Sequence, residues 1–368
     1  MRQRIFPLFA LAAIALFCIP AWAGGQADQQ QQQQQIDTPL DFPPDIVPHD
    51  AEQAIAYQTL QFIAMAPDMF PRIDSSTSAH PLAMHVACRV LGEVCGWDFR
   101  FTTNTARNEY KTLLPVHHAD AMMSPEPATP GNAVARILDI WPSGTNGSYM
   151  NLIDNKADVI ITARAPSDDE LEYAKDKNIT LDARPVAWDA FVFIVNKDNP
   201  VKALTTQQIR DIYTDKITNW SAVNGPDAPI NAYTRNDNSG SQELMQKMVM
   251  KDLDMAKEYS RHRDLMSFGM MGPVNQLWHD PAGLAYSVYF FEQFMAPNDN
   301  LSLVAVDGVL PAYDAIQSGA YPYAAEVYVV VREGDPADSA AVALRDWLLS
   351  EEGQMVVGES GYVPLNKE

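Results

Sequence analysis

The chain has 368 residues, 47% of them hydrophobic and 20% charged, with 47 acidic against 26 basic side chains and a net charge of −21. That hydrophobic share excludes wholesale disorder, and the length suffices for two domains with real cores. Phosphate backbones and anionic lipids are held by clustered Lys and Arg, so this balance excludes nucleic acid and anionic membrane surfaces as partners.

Arg2 and Arg4 precede an apolar run, Ile5 to Pro20, that is short for a bilayer span. Ala21-Trp22-Ala23 then supplies the small-x-small pattern of a cleavage site. Residues 1–23 read as a signal peptide, so the mature chain is expected to be exported and, without Arg2 and Arg4, to carry a charge of −23. Residues 24–50 read as a flexible leader: glutamine is unbroken from Gln29 to Gln35, and Pro39, Pro43, Pro44 and Pro48 follow. Helical spacing begins near Glu52, at Ile55, Leu60 and Ile63.

Pro81 marks the first turn of a helix carrying Leu82, Val86, Val90 and Leu91. Export leaves Cys88 and Cys95 as the two cysteines of the mature chain. On one continuous helix their Cα atoms would stand about 10 Å apart, beyond disulfide reach. Gly92 between them can end the helix and let the chain fold back. A bridge and two free buried thiols both remain open. Further on, Ser167 with Glu170 and Thr205 with Gln208 fit capping boxes that open two more helices. Between helices lie β-rich runs: Val159 to Thr162, Phe191 to Val195, Leu284 to Tyr289 and Glu326 to Val331. This alternation predicts an α/β protein with open sheets.

Three segments lead a Ser/Thr/Gly-rich turn directly into a helix. They are Asp74-Ser75-Ser76-Thr77-Ser78, Pro142-Ser143-Gly144-Thr145, and Arg235-Asn236-Asp237-Asn238-Ser239-Gly240-Ser241. Free backbone N–H groups and the positive end of the helix dipole suit each to an anion, and the hydroxyls add donors. One such turn is most often a simple cap. Three of them, one bearing Arg, can surround a tetrahedral oxyanion from several directions.

These residues resemble the phosphate-type solute-binding proteins of ABC transporters, the PstS-like branch of the periplasmic binding-protein superfamily. The resemblance runs from about Pro71 to Leu365. It takes in Asp74-Ser75-Ser76-Thr77, Ser143-Gly144-Thr145, Phe193 to Val201, Gln208 to Tyr213, Lys216 to Trp220, Arg235 to Ser241, Gly283 to Tyr286 and Gly361 to Leu365. It implies a two-lobed α/β fold of type II-like arrangement, each lobe a mixed sheet flanked by helices, joined by a two-strand hinge. The expected division is 51–190 and 324–368 for the first lobe and 191–323 for the second. The resemblance also implies a phosphate site of Ser76, Thr77, Ser78, Ser143, Gly144, Thr145, Arg235, Ser239, Gly240 and Ser241, with Asp237 orienting the Arg235 guanidinium. The implied partners are inorganic phosphate or a similar oxyanion and an inner-membrane ABC permease, for a periplasmic monomer that uses no cofactor or metal and is not an enzyme.

The sequence departs from the family where a carboxylate that accepts the phosphate proton is expected after Asp158-Val159-Ile160-Ile161. Thr162-Ala163-Arg164 stands there instead. Asp237 and Asp74 are the alternative acceptors, and Arg164 is read as a surface residue in preference to a second cation of the site. That missing acid and the long leader keep a second reading open, a non-transport envelope sensor or interaction protein with the same fold. A phosphate-ester hydrolase is disfavoured, because no nucleophile, base and metal set is visible and the histidines show no metal spacing.

The charge leaves room for a small anion, because distant surface acids are screened over about 8 Å at physiological salt. They should nevertheless repel it at low ionic strength. Stopped-flow capture of phosphate is therefore expected to speed up as salt is first added; a rate that falls with salt would contradict this reading.

Overall fold

A computed structural model describes residues 65–100, 110–116, 132–256 and 265–365. The expected signal peptide, the Gln/Pro leader and the helix near Glu52 lie outside the described residues. Strand β1 (Ile73–Ser75) leads into helix α1 (His80–Leu91) and a hairpin of β2 (Cys95–Arg100) and β3 (Tyr110–Pro115). Helices α2 (Ala133–Leu138) and α3 (Thr145–Ile153) then precede β4 (Val159–Thr162), α4 (Asp168–Asp176) and the long β5 (Leu181–Asn196).

After β5 come β6 (Ala203–Leu204), α5 (Thr206–Tyr213), β7 (Asn231–Ala232), β8 (Thr234–Arg235) and α6 (Gly240–Leu244). A π-helical stretch, Met245–Met250, continues α6. The chain proceeds through β9 (Met266–Ser267), α7 (Met271–Leu277), β10 (Gly283–Val288), a π-helical turn (Phe291–Met295), β11 (Leu301–Leu303), β12 (Ala305–Val306) and α8 (Tyr313–Gln317). It returns by β13 (Ala324–Arg332), α9 (Ala340–Leu348), α10 (Glu351–Glu359) and β14 (Val363–Pro364).

One strand organises the sheet. The order is β1-β4-β13-β5-β10-β7, with β11 and β14 also paired to β5. Leu181 to Ala190 of β5 pair with β13, while Phe191 to Val195 pair with β10 and Ile194 to Asn196 with β11. At about 3.3 Å per residue, its 16 residues reach about 50 Å, enough to serve two sheet halves. The β-rich run expected at Phe191 to Val195 is thus only the distal part of a much longer strand. Its early residues are half-exposed, so they carry a weaker apolar signal.

Side-chain burial follows the period of each element. All four residues of β4, Val-Ile-Ile-Thr, are buried, as expected of a strand covered on both faces. In the distal half, Phe191, Phe193, Tyr213, Tyr286 and Tyr323 form one aromatic cluster with several ring centroids 5.4 to 6.5 Å apart. Both expected capping boxes are formed, Ser167 with Glu170 and Thr205 with Gln208. The described residues contain no helix long and apolar enough to cross a membrane.

Cys88 and Cys95 are disulfide-bonded, with Cα atoms 6.0 Å apart. Gly92 makes this reach possible. It ends α1 at φ 75°, a left-handed conformation that glycine adopts without a Cβ penalty, and the Glu93 N–H donates to Cys88 O at 2.8 Å. The bridge fastens α1, which opens from the first Ser/Thr turn, to the β2–β3 hairpin. Replacing both cysteines by serine is expected to cost about 2 kcal/mol, the loop-closure entropy of so short a ring. Urea unfolding with and without the substitutions checks this.

Candidate functional site

The first turn leaves β1 at the sheet edge. Ser76 N–H donates to Ile161 O at 3.0 Å, while Ser76 Oγ accepts from Ala79 N at 3.3 Å and Ala163 N at 3.1 Å. With both lone pairs engaged, the Ser76 hydroxyl proton is left to donate to a ligand. Helix α1 has no side-chain cap at Ala79. His80, beside this turn, is fully buried with its ring near Ser75 Oγ (3.3 Å) and does not reach the cleft.

The second turn is held from behind by one carboxylate. Asp74, 6% exposed, accepts from Ser75 N (2.6 Å), Ser143 N (3.1 Å), Ser148 Oγ (3.0 Å) and Asn151 Nδ2 (2.6 Å). Asn151 Nδ2 also donates to Ser143 Oγ at 3.1 Å. Asp74 therefore ties the end of β1 to the start of α3. It is a scaffold for the turn, and it does not line the cleft where a ligand proton would need an acceptor. Gly144, at φ 78°, is the N-cap of α3 and brings no side-chain cap, so the first amides of the helix stay available.

Arg164 differs from expectation. It is 3% exposed and makes a bidentate pair with the buried Glu170, Nη1 to Oε2 at 2.8 Å and Nη2 to Oε1 at 2.9 Å. Glu170 also accepts from Asn146 Nδ2 at 3.1 Å, so the pair steadies the second turn. The capping box built on Glu170 made this acid visible in the sequence; that its carboxylate would bury an Arg six residues earlier was not.

The third turn follows β8. Arg235 N–H donates to Tyr286 Oη at 3.0 Å and to Gln242 Oε1 at 3.3 Å, which fixes its backbone. Its guanidinium, 5% exposed, approaches Met270 Sδ at 3.7 Å, and among the described residues no carboxylate lies within ion-pair distance of it. Burial pulls its pKa down, against the opposite pull of Tyr286 and Glu292. Asp237 does not orient it: that side chain is exposed and forms no bond to Arg235. The acid whose charge acts on Arg235 is Glu292, far off in sequence and absent from the expected set. Ser239 caps α6 by accepting from Gln242 N at 3.1 Å, so this turn spends one hydroxyl on its own helix.

All eleven residues expected from the sequence line one cleft of about 420 Å³. Asn146, Gly147, Ala163, Asn236, Asn238, Leu244, Gly269, Met270 and Val288 line it as well. Met270 is partly buried against the hydrophobic core and also borders the cleft. Among the described residues Arg235 is the one cation of the lining and Asp237 the one acid, and Asp237 is exposed and unpaired with it, so the guanidinium faces hydroxyls and amides. No cluster of metal-ligating side chains occurs among the described residues.

The second and third turns touch. A Cβ built on Gly240 would stand 2.5 Å from Thr145 Oγ1 and 3.3 Å from Thr145 Cβ. Gly240→Ala would force Thr145 to turn its hydroxyl aside or hold the turns apart, an overpacking cost of about 1–3 kcal/mol. Ligand affinity is expected to fall about tenfold with little change in the thermal midpoint of the ligand-free protein, as calorimetric titration and thermal unfolding would show.

The model of a PBP superfamily domain matches residues 120–352. The phosphate-binding protein PstS of Staphylococcus epidermidis is 27% identical over 233 residues, covering 61% of this chain and 69% of that protein. Protein SphX of Synechococcus elongatus is 25% identical over 238 residues, covering 62% and 69%. Among solved structures, a candidate phosphate ABC-transporter substrate-binding protein of Clostridium perfringens, with bound phosphate, aligns at TM-score 0.55 and 22% identity over 80% of this chain and 99% of its own. An ABC-type phosphate transport receptor of Vibrio cholerae aligns at TM-score 0.52 and 19% identity over 79% and 98%. The fold is that of these two-lobed α/β proteins, and with well over half its length matched by the family model, the chain belongs to the PBP superfamily.

Proposed function

We propose that this protein captures a tetrahedral oxyanion, in the first instance inorganic phosphate, by closing two lobes over it for delivery to an ABC permease. The observation that carries this reading is the buried Arg235 guanidinium, with no carboxylate of the described residues in ion-pair distance, facing three Ser/Thr/Gly turns in one cleft. Ser76, Thr77, Ser78, Ser143, Gly144 and Thr145 supply donors from one side, and Ser239, Gly240 and Ser241 from the other. The similarity to proteins named for phosphate binding, PstS among them, supports the same ligand. The change of partner along β5, from β13 at Ala190 to β10 at Phe191, supports a first lobe of 51–190 with 324–368 and a second of 191–323. We further propose that the chain is exported by a cleaved signal peptide, works as a monomer in the periplasm, and binds its ligand without transforming it.

The anion is held by charge and hydrogen bonding. Arg235 supplies charge-assisted bonds, and helix amides and hydroxyls complete the shell. The cleft volume favours a second reading in which the phosphoryl group belongs to a small organic ester, since pockets of this size also take organic ligands.

Calorimetric titration of ligand-free protein with phosphate, sulfate and a simple phosphomonoester tests both readings. Phosphate is expected to bind, and Arg235→Ala to weaken it about a hundredfold, the worth of a strong charge-assisted contact of about 1.5–3 kcal/mol. Heat from the ester alone would favour the second reading. No heat and no thermal shift with any of the three would overturn both.

A further inference from the structure

Behind the cleft lies a group of buried polar atoms that anion binding does not use directly. Glu292 sits on the π-helical turn that follows β10 and is 6% exposed; it does not line the cleft. Arg235, at the end of β8, does line it. Three buried atoms from these neighbouring elements have no hydrogen-bond partner among the described residues: Arg235 Nε, Ser287 Oγ on β10 and Glu292 Oε1. Such orphans are rare in protein interiors and call for an explanation. The Ser287 hydroxyl lies close enough to favour the ionised form of Glu292 without closing a hydrogen bond.

We infer that Glu292, buried on the turn after the strand whose Tyr286 clamps the Arg235 backbone, acts on that guanidinium through its charge, and that capture of an anion by Arg235 draws a proton from solvent onto the Glu292 carboxylate. The inference rests on the oxyanion reading above. In the ligand-free cleft the guanidinium is the charge that favours the Glu292 carboxylate, while burial opposes it more strongly and pushes the group up to about 7. An anion seated on Arg235 offsets the guanidinium charge. With only the Ser287 hydroxyl left to favour the ionised form, the pKa rises further, and a proton is taken up near neutral pH.

The surroundings leave few competing groups. Tyr286, beside Arg235, is raised above its ordinary value by burial and stays protonated. From β3, Tyr110 packs on the neighbouring Phe291 with ring centroids 5.8 Å apart. Asp189 of β5 is a second buried acid pushed up to about 7, and it accepts from Phe290 N at 2.9 Å and Ala190 N at 2.7 Å. It does not act on Glu292, but it titrates in the same range, so the test must separate the two.

Below the pKa of the free protein, Glu292 already holds its proton and costs the anion nothing. Above it, every binding event must recruit one, so wild-type affinity falls relative to a variant that cannot ionise. With Glu292→Gln, the ratio of variant to wild-type phosphate affinity is expected near one at about pH 6 and on the order of tenfold at about pH 8.5. Titrations in two buffers of different ionisation enthalpy should find less proton uptake by the variant than by wild type at neutral pH. Asp189 and the ligand are common to both proteins and cancel in that difference. A flat affinity ratio, or equal uptake, would overturn the inference.

Should Glu292→Gln not fold, wild type alone decides. Phosphorus NMR reads the protonation of bound phosphate, and uptake no greater than the ligand accounts for overturns the inference while leaving phosphate binding intact. Absence of phosphate binding would instead remove the underlying reading, and this inference with it.

Discussion

The arrangement of the cleft follows from one buried guanidinium. Taking a cation out of water costs several kcal/mol even after relaxation, and a carboxylate partner normally offsets that cost. Arg164 obeys the rule through Glu170. Arg235 does not: its backbone is clamped by Tyr286 and Gln242, yet its side chain faces hydroxyls, amides and a thioether. A charge kept in this condition is stabilised by whatever anion enters, so binding energy is held in reserve by the fold. The contrast between the two arginines, equally buried and differently paired, separates a residue that holds the scaffold from one that awaits a ligand.

A similar contrast runs through several helix ends, although α6 at the third turn is capped by Ser239. Ser167, Thr205, Ser339 and Ser350 cap helices away from the cleft with their own side chains. Helices α1 and α3, which point at the cleft, have no side-chain cap at Ala79 and Gly144. Their first amides are the donors that a cap would consume. The hydroxyls that might have capped them are redirected, as with Ser76 Oγ, which accepts two amides and keeps its proton for the opposite side. Asp74 supplies rigidity without presenting its charge, because four donors surround its carboxylate. Holding donors in place beforehand lowers the ordering cost that a flexible site would face on binding.

Much of this was legible in the sequence because it depends on local chemistry. Helix starts at Pro81, Ser167 and Thr205, the chain reversal at Gly92, and the Ser/Thr/Gly turns are all set by residues within a few positions of one another. What escaped depends on how the chain packs in three dimensions. Arg164 reads as a surface cation until α4 folds Glu170 back against it, and Asp74 reads as a possible proton acceptor until Ser148 and Asn151 close around it. Asp237, two residues from Arg235, was the partner that the family resemblance implied. The chain turns it to solvent, and Glu292, brought in by β10 more than fifty residues later, is the acid that acts on the guanidinium. Sequence proximity predicts caps well and buried charge partners poorly, because a cap is an interaction within one turn and a buried pair is a property of packing.

The net charge of −21 poses the last question: how an acidic protein holds an anion at all. For a chain of this size the surface charge lies on average about 20 Å from a central cleft. Summed in water without salt, it would oppose a singly charged ligand by about 4 kcal/mol. One guanidinium about 4 Å from the ligand returns about the same at an effective dielectric of about 20. At low ionic strength the global field therefore rivals the site. Physiological salt, with its screening length of about 8 Å, cuts the distant term to a few tenths of a kcal/mol and barely touches the contact inside the cleft. The acidic surface thus governs how an anion arrives, whereas Arg235 and the uncapped helix ends govern whether it stays.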